Sequence, residues 1–189
     1  MDFNFADMLE AVVDVVPERT ALIFEETRLN FAELEARSNQ MAHHFQEAGI
    51  KYGEHVGIYA YNGVEWVESM AALYKMRAVP VNINFRYVEN ELRYLFDNAD
   101  LKALVVQREF VPRVAAIINE LPLLKHIVIA EDGSGAAIDG LEGLDGLANG
   151  HSADVVTGDK ILFAGESVAG GELPGNDPGE QVVGDHRNK

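Results

Sequence analysis

At 189 residues, 48% of them hydrophobic, the chain has enough apolar material for one well-buried domain and too little for two. A formal net charge of −16 excludes non-specific attraction to nucleic acid or an anionic membrane, because both polyanions would be repelled. The absence of cysteine removes disulfides, thiolate zinc sites and thiol nucleophiles together.

The amino terminus carries Asp2 and Asp7 where a signal peptide needs a basic segment, and no apolar run reaches membrane-spanning length, so the expected residence is cytoplasmic. Phe5, Met8, Leu9, Val12, Val13 and Val16 fall at helical spacing and Pro17 stops the pattern, which predicts an amphipathic first helix. Thr20 to Phe24 reads as a strand, and Glu25-Glu26-Thr27 as a turn into a short return at Arg28-Leu29. Asn30 and Glu33 have the spacing of a capping box for the next helix, with Leu34, Met41, Phe45 and Ala48 on its buried face and Gly49 as its left-handed stop.

His55 to Tyr61 is a predicted strand, Asn62-Gly63 a turn, and Val64 to Met76 a helix with apolar side chains spread widely round it. From Leu73 to Tyr87 the chain passes almost without a loop from this helix into a β-branched strand, Ala78 to Ile83, and then into the turn Asn84 to Tyr87. Val88, Leu92, Leu95, Phe96 and Ala99 share one helical face, with Arg93 and Asp97 read as an exposed pair. Leu101 to Gln107 is the next strand, Phe110 to Leu121 a helix entered through Pro112, and His126 to Ala130 the last clear strand. Alternating strands and helices argue for an α/β fold, a mostly parallel sheet flanked by helices.

The composition changes after Ala130. Thirteen of the 17 glycines lie beyond it, and that segment holds 12 acidic against 3 basic residues. The division expected is an α/β subdomain over residues 1–132 and a Gly/acid-rich divergent tail over 133–189, irregular except for a further strand at Lys160 to Ala164.

Leu29-Asn30-Phe31-Ala32-Glu33-Leu34, followed by the Leu73 to Tyr87 stretch, resembles the two amino-proximal core motifs of the AMP-forming acyl-CoA synthetase superfamily, which also includes luciferases and peptide-synthetase adenylation domains. Gly49 to Val56, Tyr61 to Trp66 and Glu91 to Leu95 are similar too, and the wording is nearest to actinobacterial fatty-acyl-CoA ligases. The resemblance covers residues 3 to 132 and implies the amino-terminal subdomain of the adenylate-forming fold. It also implies ATP, Mg and CoA as the family's cofactors, a fatty acid as substrate, and activation through an acyl-adenylate to acyl-CoA.

The family's phosphate loop, approximately Thr-Gly-Gly-Thr-Thr-Gly-x-Pro-Lys-Gly, should follow a strand soon after residue 160. Gly165, Ser167, Gly170 and Gly171 are what remains of it. The lysine is absent, and Glu166 and Glu172 would set negative charge beside a triphosphate. The expectation is therefore a truncated or split, catalytically incomplete ligase with no catalytic or metal residues of its own and no productive cofactor binding. The alternative is a non-catalytic α/β module that docks a partner. A homo-oligomer or a complementary carboxy-terminal fragment is the kind of partner such a scaffold calls for.

Other constellations are weaker. Gly165-Glu166-Ser167-Val168-Ala169-Gly170 has part of an esterase nucleophile elbow, but Ala169 replaces the second glycine and Pro174 and Pro178 forbid a long helix behind it. Thr157-Gly158-Asp159-Lys160 is a chance echo of the phosphate loop, and Gly133-Ser134-Gly135 lacks the third glycine of a dinucleotide fingerprint. His43 and His44 point about 100° apart on a helix and read as boundary or surface residues rather than metal ligands. Lys75, Arg77 and Arg86 could meet an acyl-CoA phosphate, with salt bridges to neighbouring carboxylates the preferred reading.

Overall fold

The computed structural model describes residues 4–136, together with the backbone of 152–157 and 160–162. Helix α1 spans Phe5–Val15 and begins in a capping box: the Asn4 side chain accepts from the Ala6 and Asp7 amides while Asp7 accepts from the Asn4 amide at 2.9 Å. Only part of its apolar stripe is covered. Ala6 is buried and Leu9 and Val13 half-buried, whereas Phe5, Met8, Val12 and Val15 are exposed.

Strands β1 (Thr20–Phe24) and β2 (Thr27–Asn30) form an antiparallel hairpin closed at Phe24 opposite Thr27, with Glu25 at φ 50° in its two-residue turn. Asn30 then caps α2 (Phe31–Glu47). Its side chain accepts from the Glu33 amide, and Glu33 accepts from the Asn30 amide, both at 2.8 Å. Leu34, Met41 and Phe45 are buried as the spacing predicts. Ala48 is exposed instead, because the helix ends one residue before it and Gly49, at φ 87°, turns the chain away.

Strand β3 (His55–Tyr59), helix α3 (Val64–Met76) and strand β4 (Val79–Asn82) follow at the expected places. Arg77 takes the left-handed conformation that ends α3, and its amide returns to the Leu73 and Tyr74 carbonyls. Helix α4 (Glu89–Asn98) buries Leu92 and Phe96. Arg93 on it does not pair with Asp97; it reaches across to Glu120 at 2.7 and 2.9 Å, because the neighbouring element brings that carboxylate within a fork's reach.

Strand β5 (Ala103–Gln107) leads into a 3-10 turn at Arg108–Phe110, then α5 (Val111–Ala115) and a second 3-10 turn at Ile118–Glu120. The periodicity predicts a single helix from Phe110 to Leu121, which the structure divides into these three segments. Val111, Val114, Ile117, Ile118 and Leu121 are all buried, and their near-three spacing suits the tighter winding of 3-10 turns. Strand β6 (His126–Ala130) is followed by β7 (Ser152–Thr157) and β8 (Lys160–Leu162). β8 falls in the strand expected at Lys160 to Ala164, while β7 lies in a stretch read as irregular.

The main sheet has six strands in the order β4-β3-β5-β6-β7-β8, parallel throughout except for β8. Pro80 sits in β4, an edge strand, where a missing amide costs least. Side chains alternate between two cores. Tyr59, Leu104, Val106, Ile127 and Ile129 face α4 and α5, and Val56, Ile58, Ala103, Val105 and Val128 face α2 and α3. Gly57 makes the first core fit: a Cβ there would lie 2.7 Å from Ile83 and 2.9 Å from Leu101 and Leu104. No described helix is long and apolar enough to cross a membrane.

Candidate functional site

The strand order reverses direction around β3: the chain goes to β4 on one side and then crosses to β5 on the other. Such a switch point opens a crevice beyond the carboxyl ends of the two strands, the usual ligand position in open parallel sheets. Here the crevice is bounded by Tyr61 after β3, the Asn84 to Tyr87 turn after β4, and Glu109, Phe110 and Arg113 after β5. A cleft of about 490 Å³ is lined by Tyr61, Phe85, Arg86, Glu109, Phe110 and Arg113.

Its floor is a set of interlocked contacts. The Arg113 Nη1 donates to the Tyr59 hydroxyl at 2.8 Å and to the Phe85 and Tyr87 carbonyls at 3.0 and 3.2 Å. The Tyr59 hydroxyl in turn donates to the Tyr87 carbonyl at 2.6 Å. The Tyr61 amide donates to Gln107 Oε1 at 3.0 Å, which ties the ends of β3 and β5 together. Aromatic rings form the walls, with centroids 4.8 Å apart for Tyr61 and Phe85 and 5.1 Å for Tyr61 and Phe110.

The electrostatics follow from these contacts. Burial raises the Tyr59 phenol above its ordinary 10.0, with Arg113 pulling the other way. Tyr61 is also raised, first by its hydrogen bond to Glu109 and then by burial. Asp132, which accepts from the Glu109 amide at 2.9 Å, is held below its ordinary value: burial opposes this, and hydrogen bonds from Ser134, Glu109 and Gln107 outweigh it. Glu109 therefore has a fixed backbone position at the cleft's acidic side.

Arg86 supplies the basic side. Its guanidinium lies over the Phe85 ring, 5.4 Å from the centroid, and makes no ion pair among the described residues. The preferred salt-bridge reading holds for Lys75, which meets Glu10 at 2.6 Å and Glu35 at 2.7 Å, and not for Arg86. Arg77 serves as the cap of α3. The cleft can thus take an anionic group at Arg86 and an apolar or planar portion against its rings.

A larger groove of about 650 Å³ runs beside Asn39, His43, Gln46, Tyr52 and Lys75, but the charge of Lys75 is already met by two carboxylates. No group of three or more His, Asp or Glu residues able to hold a metal exists among the described residues. Gly165, Ser167, Gly170 and Gly171, the degenerate loop candidates, lie outside the described residues, as do Glu166 and Glu172. His43 is exposed as read, whereas His44 is buried, its Nε2 2.8 Å from Nε2 of His126. The contact spans 82 residues of sequence, so helical geometry alone could not reveal it.

Sequence reasoning singled out Arg86 and missed Arg113, Tyr59 and Glu109. The alternation of Tyr59 and Tyr61 at a strand's carboxyl end was the one local signal available.

The profile of the AMP-binding enzyme family matches residues 9–162. A 3-oxocholest-4-en-26-oate–CoA ligase of Rhodococcus rhodochrous is 43% identical over 145 residues, which cover 77% of this chain and 26% of that protein. A medium/long-chain-fatty-acid–CoA/3-oxocholest-4-en-26-oate–CoA ligase of Mycobacterium tuberculosis H37Rv is 44% identical over 131 residues, 69% of this chain and 24% of its own length. Among solved structures, the anthranilate–CoA ligase AuaEII in complex with anthranoyl-AMP superposes with a TM-score of 0.67 at 30% identity, covering 71% of this chain and 26% of that one. The chain thus spans about a quarter of the length of the curated relatives it matches.

Proposed function

We propose, on the premise that the chain belongs to the AMP-binding enzyme family, that it is the amino-terminal α/β unit of a fatty-acyl-CoA ligase and supplies one wall of the coenzyme A site. The reaction of such a ligase is attack of a carboxylate on the α-phosphate of ATP with release of pyrophosphate, then displacement of AMP by the CoA thiol. The observation that carries the reading is Arg86. It is a guanidinium with no ion pair among the described residues, in a protein of net charge −16, at the rim of the switch-point cleft. A coenzyme A phosphate fits this residue, since the arginine fork matches phosphate oxygens.

A site for ATP and Mg is not part of this reading, because residues 165–171 lack the hydroxyl-rich, lysine-bearing pattern that shifting phosphate charge requires. On this reading the chain alone does not form acyl-adenylate, and residues 1–132 act as a scaffold, with 133–189 a divergent segment. Cytoplasmic residence belongs to the same proposal.

A second reading, a docking module, draws on the exposed stripe of Phe5, Met8, Val12 and Val15 on α1. Calorimetric titration of CoA into the whole chain separates the two. Binding that weakens at least tenfold in Arg86→Glu supports the ligase unit; no binding by the unaltered protein, or equal binding by the variant, sinks it. Pyrophosphate–ATP exchange with a fatty acid is expected to be absent, and its presence would overturn the scaffold reading.

A further inference from the structure

His44 sits in the last turn of α2 and His126 opens β6, and they meet where α2 crosses the sheet. Both are 4% exposed, their ring centroids are 4.8 Å apart, and Phe45 closes over His126 edge-on at 6.4 Å. Two imidazole Nε2 atoms 2.8 Å apart share one hydrogen bond only if one carries a proton and the other presents a lone pair. A second proton on that axis would set two N–H groups and two like charges against each other in a site nearly closed to water.

We propose that the His44–His126 contact is an acid-sensitive latch: with a single proton between the rings it clasps α2 to the sheet, and a second proton opens it. The ionisable groups on the surrounding elements are of both signs. In the chain Lys102 precedes β5 and Lys125 precedes His126, and on α2 His43 and Glu47 are both exposed to solvent. β7, paired with β6 through its backbone at His126 and Ser152, carries Asp154. α2 packs on α3 as well as on the sheet, so opening would loosen the layer that holds Met41, Ala42 and Phe45 in the core.

The sign follows from proton counting. Below about pH 6.5 the unfolded chain adds a proton to each imidazole while the closed pair, keeping one N–H on the shared axis, adds at most one, so the unfolded state binds more and stability falls with falling pH. The full 189-residue chain is unfolded with urea at about pH 7.5 and about pH 5.5. The midpoint is expected to drop in the unaltered protein, and His44→Gln or His126→Gln to remove at least half of the drop. Variants that keep the whole drop, or an Asp154→Asn variant that abolishes it while theirs persists, would overturn the latch. Should either histidine variant fail to fold, imidazole NMR of the unaltered protein decides: the native pair takes up at most one proton over that range, and two protons gained with α2 amides still protected refutes the proposal.

Discussion

Against α4 and α5 the sheet packs Ile83, Leu92, Phe96, Leu101, Leu104, Phe110 and Ile129, an apolar layer whose polar exception is the Tyr59 hydroxyl. Against α2 and α3 it packs smaller side chains, Ala42, Ala72, Ala78 and Ala103, and this is where the buried polar residues among the described residues lie: Ser38, His44, Glu68, Ser69 and His126. The first face is held by volume, which tolerates many sequences of the right size. The second also carries two cross-element pairs, Arg37–Glu68 and His44–His126, each of which fixes α2 at one place and penalises the loss of a single partner. The candidate cleft grows out of the volume-held face, at the carboxyl ends of β3 and β5, and the histidine latch out of the paired face.

The largest effect should come from breaking a pair. Glu68 is 3% exposed and takes Arg37 through two nitrogens, joining α2 to α3. Glu68→Gln leaves the guanidinium poorly matched and should cost about 3–5 kcal/mol in urea unfolding. Arg37→Met combined with Glu68→Leu should recover most of that loss, since the pair's desolvation disappears with it. A double variant as unstable as the single one would show that the α2/α3 face is not governed by pairing.

On the other face the corresponding change is a cavity. Leu104 is fully buried among Gly57, Ile83 and Leu101, and Leu104→Ala should cost about 2–5 kcal/mol depending on how far the layer collapses. A thermal or urea midpoint within error of the unaltered protein would mean that this layer is loosely packed, and the contrast between the faces would fail.

These two faces differ also in how far the sequence discloses them. The apolar alternation of β3, β5 and β6 is local, and so is the Asn30–Glu33 box; both can be read from neighbours in the chain. Pairs cannot. Arg93 has Asp97 at helical spacing yet chooses Glu120, and His44 is matched to a residue on another element. β7 escaped notice because Ser152, Ala153 and Asp154 lack the apolar run of a buried strand and follow a glycine-rich stretch. The cleft needs three separate chain segments, so its residue types were visible and their convergence was not.

The smallest effect concerns Tyr59, the polar group on the volume-held face. Its raised phenol remains protonated in the folded chain after the unfolded chain begins to ionise near 10.0. Its contribution to stability is therefore complete below that pH and is lost as pH rises through the folded value. Arg113 favours the phenolate and restrains the rise, and it also pins the Phe85 and Tyr87 carbonyls. Arg113→Met should move the Tyr59 titration, followed by phenolate absorbance, to higher pH and cost about 1–2 kcal/mol at neutral pH through the lost hydrogen bonds. If the titration stays put while stability falls, Arg113 acts only as a clamp on the turn. If both move, the carboxyl end of β3 is a place where the packed face too depends on a pair, and that is where the cleft has formed.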